Sequence, residues 1–138
     1  MIEATKKKAS FLAEAAAELT LSHVHIEPIR AEEAGRSPLR ESFDVVVARA
    51  VATMDLLAEW LVPLAKIGGV VLAMKGAKAA EELAAAQRAI RLVGGGPAQV
   101  FSVDLPGQQH HVVVQIRKIA SSAPQYPRLP TAAKGRRL

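Results

Sequence analysis

The 138-residue chain has no cysteine, which excludes disulfides, thiolate zinc sites and a cysteine nucleophile and suits a cytoplasmic location. It has no apolar run approaching ~18 residues, so no membrane-spanning helix is expected. Lys6-Lys7-Lys8 near the start is not followed by the apolar stretch of a signal peptide. Also missing are a G-x-S-x-G turn, a P-loop and any Ser/His/Asp arrangement. His110 and His111 are adjacent at the start of an expected strand and so point to opposite faces. No carboxylate or histidine lies at ligand spacing from them, and no metal is expected. Acidic residues stop at Asp104.

That last absence divides the chain. From Arg117 to Leu138 there are six basic residues and no acidic one, which leaves twelve basic against thirteen acidic residues in the remainder. A nearly neutral body over 1–119 and a basic, flexible tail over 120–138 are expected. Such a tail suits a polyanion such as RNA, or serves solubility alone. Half the residues are hydrophobic, enough to fill a core.

Phe43-Asp44-Val45-Val46-Val47-Ala48-Arg49-Ala50 is the most telling stretch. Its three valines read as a strand buried on both faces, as in a parallel sheet. A helix from about Thr53 to Ala65 follows, frayed at Pro63. Gly68-Gly69 is read as its exit, before a second apolar strand, Val70–Met74, closed by Lys75-Gly76. Met1–Ala4 reads as a strand stub, with Thr5 capping a helix whose apolar face is Phe11, Leu12, Ala15, Ala16 and Leu19. His23–Ile29 alternates as a strand. A helix over Ala79–Val93 stops at Gly94-Gly95-Gly96-Pro97. Gln99–Leu105 and His111–Ile119 read as an antiparallel hairpin around Pro106-Gly107-Gln108-Gln109. The order indicates an α/β sheet layered by helices.

Ligands of open α/β sheets gather at the carboxyl ends of the strands. Five residues fall there. Glu3 could accept ribose hydroxyls, or merely favour a helix start. Ala31 leaves room for a ring, and Glu32 could accept an exocyclic amine, or both simply open a helix. Arg49 interrupts an apolar strand and needs a partner or solvent at a cleft; the partner could be a cofactor carboxylate, an RNA phosphate, or Asp55 or another local acid. Lys75 could meet a phosphate or run out to solvent.

These pieces together resemble one family. Glu3-Ala4-Thr5-x-Lys7-Lys8-x-x-Phe11-Leu12, Arg30-Ala31-Glu32-Glu33, the Phe43–Ala52 stretch, Gly68-Gly69 with Lys75-Gly76, His111-Val112-Val113-Val114 and Tyr126-Pro127-Arg128 are similar, in order, to the small-subunit ribosomal RNA methyltransferases RsmG, also called GidB. The resemblance implies an incomplete class I S-adenosylmethionine-dependent methyltransferase sheet, Rossmann-like, with a C-terminal antiparallel hairpin. It implies S-adenosyl-L-methionine as cofactor, methylation of guanine N7 in 16S rRNA as the reaction, and the small ribosomal subunit as partner. Carried over by position, Glu3, Ala4, Thr5, Ala31, Glu32 and Arg49 would bind cofactor, and no residue is assigned as catalytic.

The family's N-terminal helical region, first strand and Gly-rich loop have no counterpart in these residues, so the chain resembles the carboxyl-terminal portion of the family. The first strand is central in such sheets. Either the two flanks meet directly, or the chain is poorly stable, or another chain fills the gap. A non-catalytic RNA-binding or inert α/β remnant is the competing expectation. A third is another nucleotide-binding enzyme, such as a dehydrogenase.

Overall fold

The computed structural model describes residues 1–49, 52–103, 111–129 and 138. In chain order they form α1 (Lys6–Glu18), α2 (Ala31–Ala34), β1 (Phe43–Arg49), α3 (Met54–Leu61), β2 (Ala65–Lys75), α4 (Ala79–Leu92), β3 (Gly95–Val103) and β4 (His111–Lys118). A 3-10 turn at Val62–Leu64 ends α3, where Pro63 denies a backbone donor to a continuing helix.

The four strands form one sheet in the order β1-β2-β4-β3. β1 runs parallel to β2, with Val46 opposite Val71 and Arg49 opposite Met74. β4 runs antiparallel to both β2 and β3, which is the expected hairpin. The hairpin turn at 106–109, His110, Ala50 and Val51 lie outside the described residues.

Alternation sorts the side chains. Val46, Val71, Ala73, Val114 and Ile116 face α3 and α4, where Leu57, Leu61, Ala86 and Ile90 complete one aliphatic core. Each large aliphatic side chain removed from water there contributes about 1.5–3 kcal/mol. The opposite parity carries Val45, Val47, Val70, Leu72, Met74 and Phe101. Val45 and Val47 are 49% and 54% exposed. The expectation that the valine strand is buried on both faces therefore holds for one face only.

Three local expectations are corrected. Gly68-Gly69 lies inside β2, not at a helix exit. Between Phe43 and Val45 the partner strand advances from Ala65 to Val70, so the glycines form a bulge. Gly68 has φ +86°, and a Cβ on Gly69 would stand 2.9 Å from the Asp44 carbonyl oxygen. Thr5 precedes α1 without capping it through its side chain. His23–Ile29 is no strand. It makes one parallel bridge, Ile2 with Glu27, where Glu27 N–H donates to Met1 O at 2.7 Å and Glu3 N–H to Glu27 O at 3.1 Å. The ladder goes no further because the Ile29 N–H, which would continue it, donates to the Glu27 carbonyl at 2.9 Å.

Among the described residues the two flanks do not pair. The bridge stands apart from the four-stranded sheet, and β1 is that sheet's terminal strand. Helix α1 buries Ala9 and Ala16, while Phe11 and Leu19 of its expected apolar face stay exposed.

After β4 the chain is strapped to the body. Lys118 is fully buried. Its Nζ donates to Glu41 Oε1 at 2.7 Å, to the Val62 carbonyl at 3.0 Å and to Ser122 Oγ at 3.0 Å. Arg40 donates to the carbonyls of Gly35, Ser122, Ala123 and Tyr126. Arg128 N, Nε and Nη2 each donate to the Glu59 carboxylate at 2.8 Å. A free tail from 120 onward is thus not what residues 121–128 form. Each of these polar groups finds a partner on the body, which a composition reading cannot register. Residues 130–137, with Lys134, Arg136 and Arg137, lie outside the described residues.

Candidate nucleotide-binding edge and cleft

The parallel direction of β1 and β2 brings their carboxyl ends to one edge, and β4 enters from that same edge. There Arg49, Met74, Lys75, Lys78, His111 and Val113, with neighbouring backbone, line a cleft of about 760 Å³. Arg49 shares the parity of Val45 and Val47. It therefore stands on the open face, away from α3 and from the buried Asp55. It is exposed and makes no hydrogen bond or ion pair among the described residues. The Asp55 ion pair is not formed, because the pleat turns Arg49 to the open face while Asp55 is buried on α3.

Lys75 behaves differently from either expectation. Its side chain is only 9% exposed. Its Nζ donates to the Ala52 carbonyl at 2.7 Å and lies 2.5 Å from Glu82 Oε2. The same Glu82 oxygen accepts the Met54 N–H at 3.0 Å. Lys75 neither runs to solvent nor stands free for a phosphate. Sequence spacing holds no signal for this pair, since a strand end and a helix first turn meet only after folding. Lys78, at the entry of α4, and His111, opening β4, are the other basic groups of the cleft.

Glu3 and Ala31-Glu32 are not part of that cleft. The Ile2–Glu27 bridge is parallel, so the chain leaves its two arms on the same side, at Glu3 and just beyond Ile29. Glu3 Oε1 accepts the Thr5 N–H at 2.7 Å. That bond, with lesser help from Lys8, holds its carboxyl below the usual glutamate range, so it is ionised at neutral pH. Ala4 and Thr5 are exposed beside it. Ala31 is half-buried and Glu32 buried at the start of α2, whose entry is tied by Arg30 N–H to Glu33 Oε2 at 3.2 Å. An ionised, half-buried carboxylate at the end of a bridged segment can accept hydroxyl donors from a sugar.

Comparison with known proteins follows this geometry. Residues 1–113 match the family described as GidB, rRNA small subunit methyltransferase G. A ribosomal RNA small subunit methyltransferase G of Pelotomaculum thermopropionicum is 43% identical, over all of this chain and 59% of its own length. That of Alkaliphilus oremlandii is 40% identical, over 93% of this chain and 54% of its own. The chain thus spans little more than half the length of these relatives. Among solved structures, an rRNA methylase from Streptococcus thermophilus superposes with TM-score 0.60 at 9% identity, covering 86% of this chain and 72% of that one. M. jannaschii TYW2 in complex with AdoMet superposes at 0.61 with 18% identity, covering 86% and 57%. At such identities the superpositions establish the fold, the α/β arrangement of class I methyltransferases.

Proposed function

We propose, because the chain belongs to the GidB family, rRNA small subunit methyltransferase G, that it carries two sides of an S-adenosylmethionine-dependent methylation site for guanine N7 in 16S rRNA. The observation that carries this reading is the division of the carboxyl edge. An ionised Glu3 carboxylate stands where the parallel Ile2–Glu27 bridge ends, α2 opens at Ala31 beyond the other arm of that bridge, and a basic cleft with a free Arg49 stands at the ends of β1 and β2.

Glu3, Ala4, Thr5, Ala31 and Glu32 fit the adenosine end of the cofactor, Glu3 by accepting ribose hydroxyls. Bound S-adenosylmethionine supplies an electrophilic methyl group on a sulfonium sulfur. Guanine N7 offers a lone pair and carries no proton, so the chain needs no general base. The ring becomes cationic on methylation, which makes Arg49 a poor neighbour for the ring itself. Its guanidinium is suited to an anion, either the cofactor carboxylate or an RNA phosphate. Catalysis then rests on orientation and on exclusion of water.

Calorimetry of the 138-residue chain with S-adenosylmethionine and with NAD, alongside binding to unmethylated small subunits, tests this. Binding of S-adenosylmethionine and of subunits is the expected result. NAD binding alone would favour a dehydrogenase, and subunit binding without any cofactor would favour a non-catalytic RNA-binding domain.

A further inference from the structure

The cleft contains one pair of opposite charges for which the methyl-transfer reading has no use. Lys75 and Glu82 come from the end of β2 and the first turn of α4, Lys75 nearly buried and Glu82 half-buried. Between them they engage two backbone groups of the segment after β1, the Ala52 carbonyl through Lys75 and the Met54 N–H through Glu82. On the other side of Arg49 the parallel ladder continues to its register with Met74. Arg49 thus has a ladder behind it and, three residues on, a charged tie at Ala52 and Met54.

We infer that Lys75 and Glu82 are positioning residues: together they set where the Arg49 guanidinium stands in the cleft, and neither contacts the bound anion. This rests on the reading of the cleft as an RNA-facing site. It also makes a distinctive claim about sign. Glu82 is the acidic side chain lining the described cleft, among Arg49, Lys75, Lys78 and His111. If it acted only through its charge, its removal would strengthen the binding of a polyanion. If it positions Arg49, its removal weakens binding even though the cleft becomes more positive.

The test is fluorescence anisotropy of the full 138-residue chain with a short single-stranded RNA across a salt series. The variants are Glu82→Gln, Lys75→Met, Lys75→Arg and the double variant Glu82→Gln/Lys75→Met, each confirmed folded at the assay temperature by circular dichroism. Glu82→Gln and Lys75→Met are each expected to weaken binding about tenfold, the scale of one lost charge-assisted hydrogen bond. In an Arg49→Ala background neither substitution should weaken binding further. The double variant should be no worse than either single one, and Lys75→Arg should retain affinity. Amide exchange at Met54 should rise in Glu82→Gln while that of Val71 and Val114 does not. Unchanged or tighter binding by Glu82→Gln overturns the inference. So does a further slope reduction of about 0.7 when Lys75→Met is added to Arg49→Ala, the mark of a phosphate contact made by Lys75 itself on a single strand. If the wild-type chain binds no RNA, the RNA reading fails by itself. The tie is then judged by Met54, whose unchanged exchange in Glu82→Gln would overturn it.

Discussion

Arg49 carries more of the functional reading than any other side chain. A charge ending an apolar strand needs a partner or an open edge, and pleat parity settles which: it stands exposed on the open face. Replacing it with alanine is expected to weaken RNA or cofactor binding by roughly 1.5–3 kcal/mol, the range of a charge-assisted hydrogen bond. Affinity at the wild-type level with only a lowered melting point would assign Arg49 to stability instead. Glu41 is the contrasting residue. Partial burial raises its pKa, but donors from Lys118, Ser122 and Ser121 outweigh this and hold it below the usual glutamate range. Its unfolded value is the higher one, so its contribution is present at neutral pH and is lost as pH falls below about 4 through the folded value. Glu41→Gln should flatten that part of the acid unfolding curve. An equally steep acid limb in the variant would place the sensitivity elsewhere.

At the scale of elements, most of the fold is legible in the amino-acid order. The valine run, the second apolar run and the hairpin signal β1, β2, β3 and β4, because period and composition act over short distances. What escapes depends on contacts far along the chain. Gly68-Gly69 resembles a helix exit, since nothing local distinguishes that from a bulge; the bulge exists because β1 lies alongside. Lys75 looks free, since its partners Ala52 and Glu82 belong to other elements. Gly94, by contrast, is the stop that its neighbours suggest. Its φ is +87°, and an added Cβ would lie 2.2 Å from the Ala120 carbonyl oxygen. The Gly94 carbonyl also accepts the N–H groups of Ile119 and Ala120, so α4 and the strap share this corner. Gly94→Ala should cost on the order of 2–3 kcal/mol through the backbone conformation and the clash together. Chemical denaturation measures it, and a loss under about 0.5 kcal/mol, typical of a neutral surface change, would show that the corner yields easily.

For the whole molecule, the strap redistributes the positive charge. Arg128 is engaged by a buried carboxylate, which raises its pKa through the Glu59 hydrogen bonds. It is therefore a stability residue. Arg128→Gln should lower the melting temperature and leave the salt dependence of RNA binding unchanged. Replacing Lys134, Arg136 and Arg137 together should flatten that dependence if they meet phosphates, by about 0.7 per contact. The reverse pattern would mean that Arg128 leaves Glu59 for RNA. Since the chain spans little more than half its relatives' length, we expect no detectable methyl transfer to unmethylated small subunits by these 138 residues alone. A radiolabelled methyl donor provides the check, and turnover comparable to a complete family member would overturn the expectation.

The outer edge of β1 has a colloidal consequence. Its hydrogen-bonding groups are not taken up by another strand of the described sheet, and Val45 and Val47 flank it in open water. Natural sheets usually guard such borders with lysine, proline or a bulge against association between molecules. Here the guarding features, Lys66 paired with Asp44 and the Gly68-Gly69 bulge, stand only at the amino end. The middle of the strand offers a β-branched template with no charge. Purified chain should therefore self-associate as its concentration rises, with light scattering increasing and thioflavin binding following on long incubation. Val47→Lys should suppress both at little cost to folding, because that side chain already faces water. A monodisperse wild-type solution at high concentration would show that this border is protected in some other way.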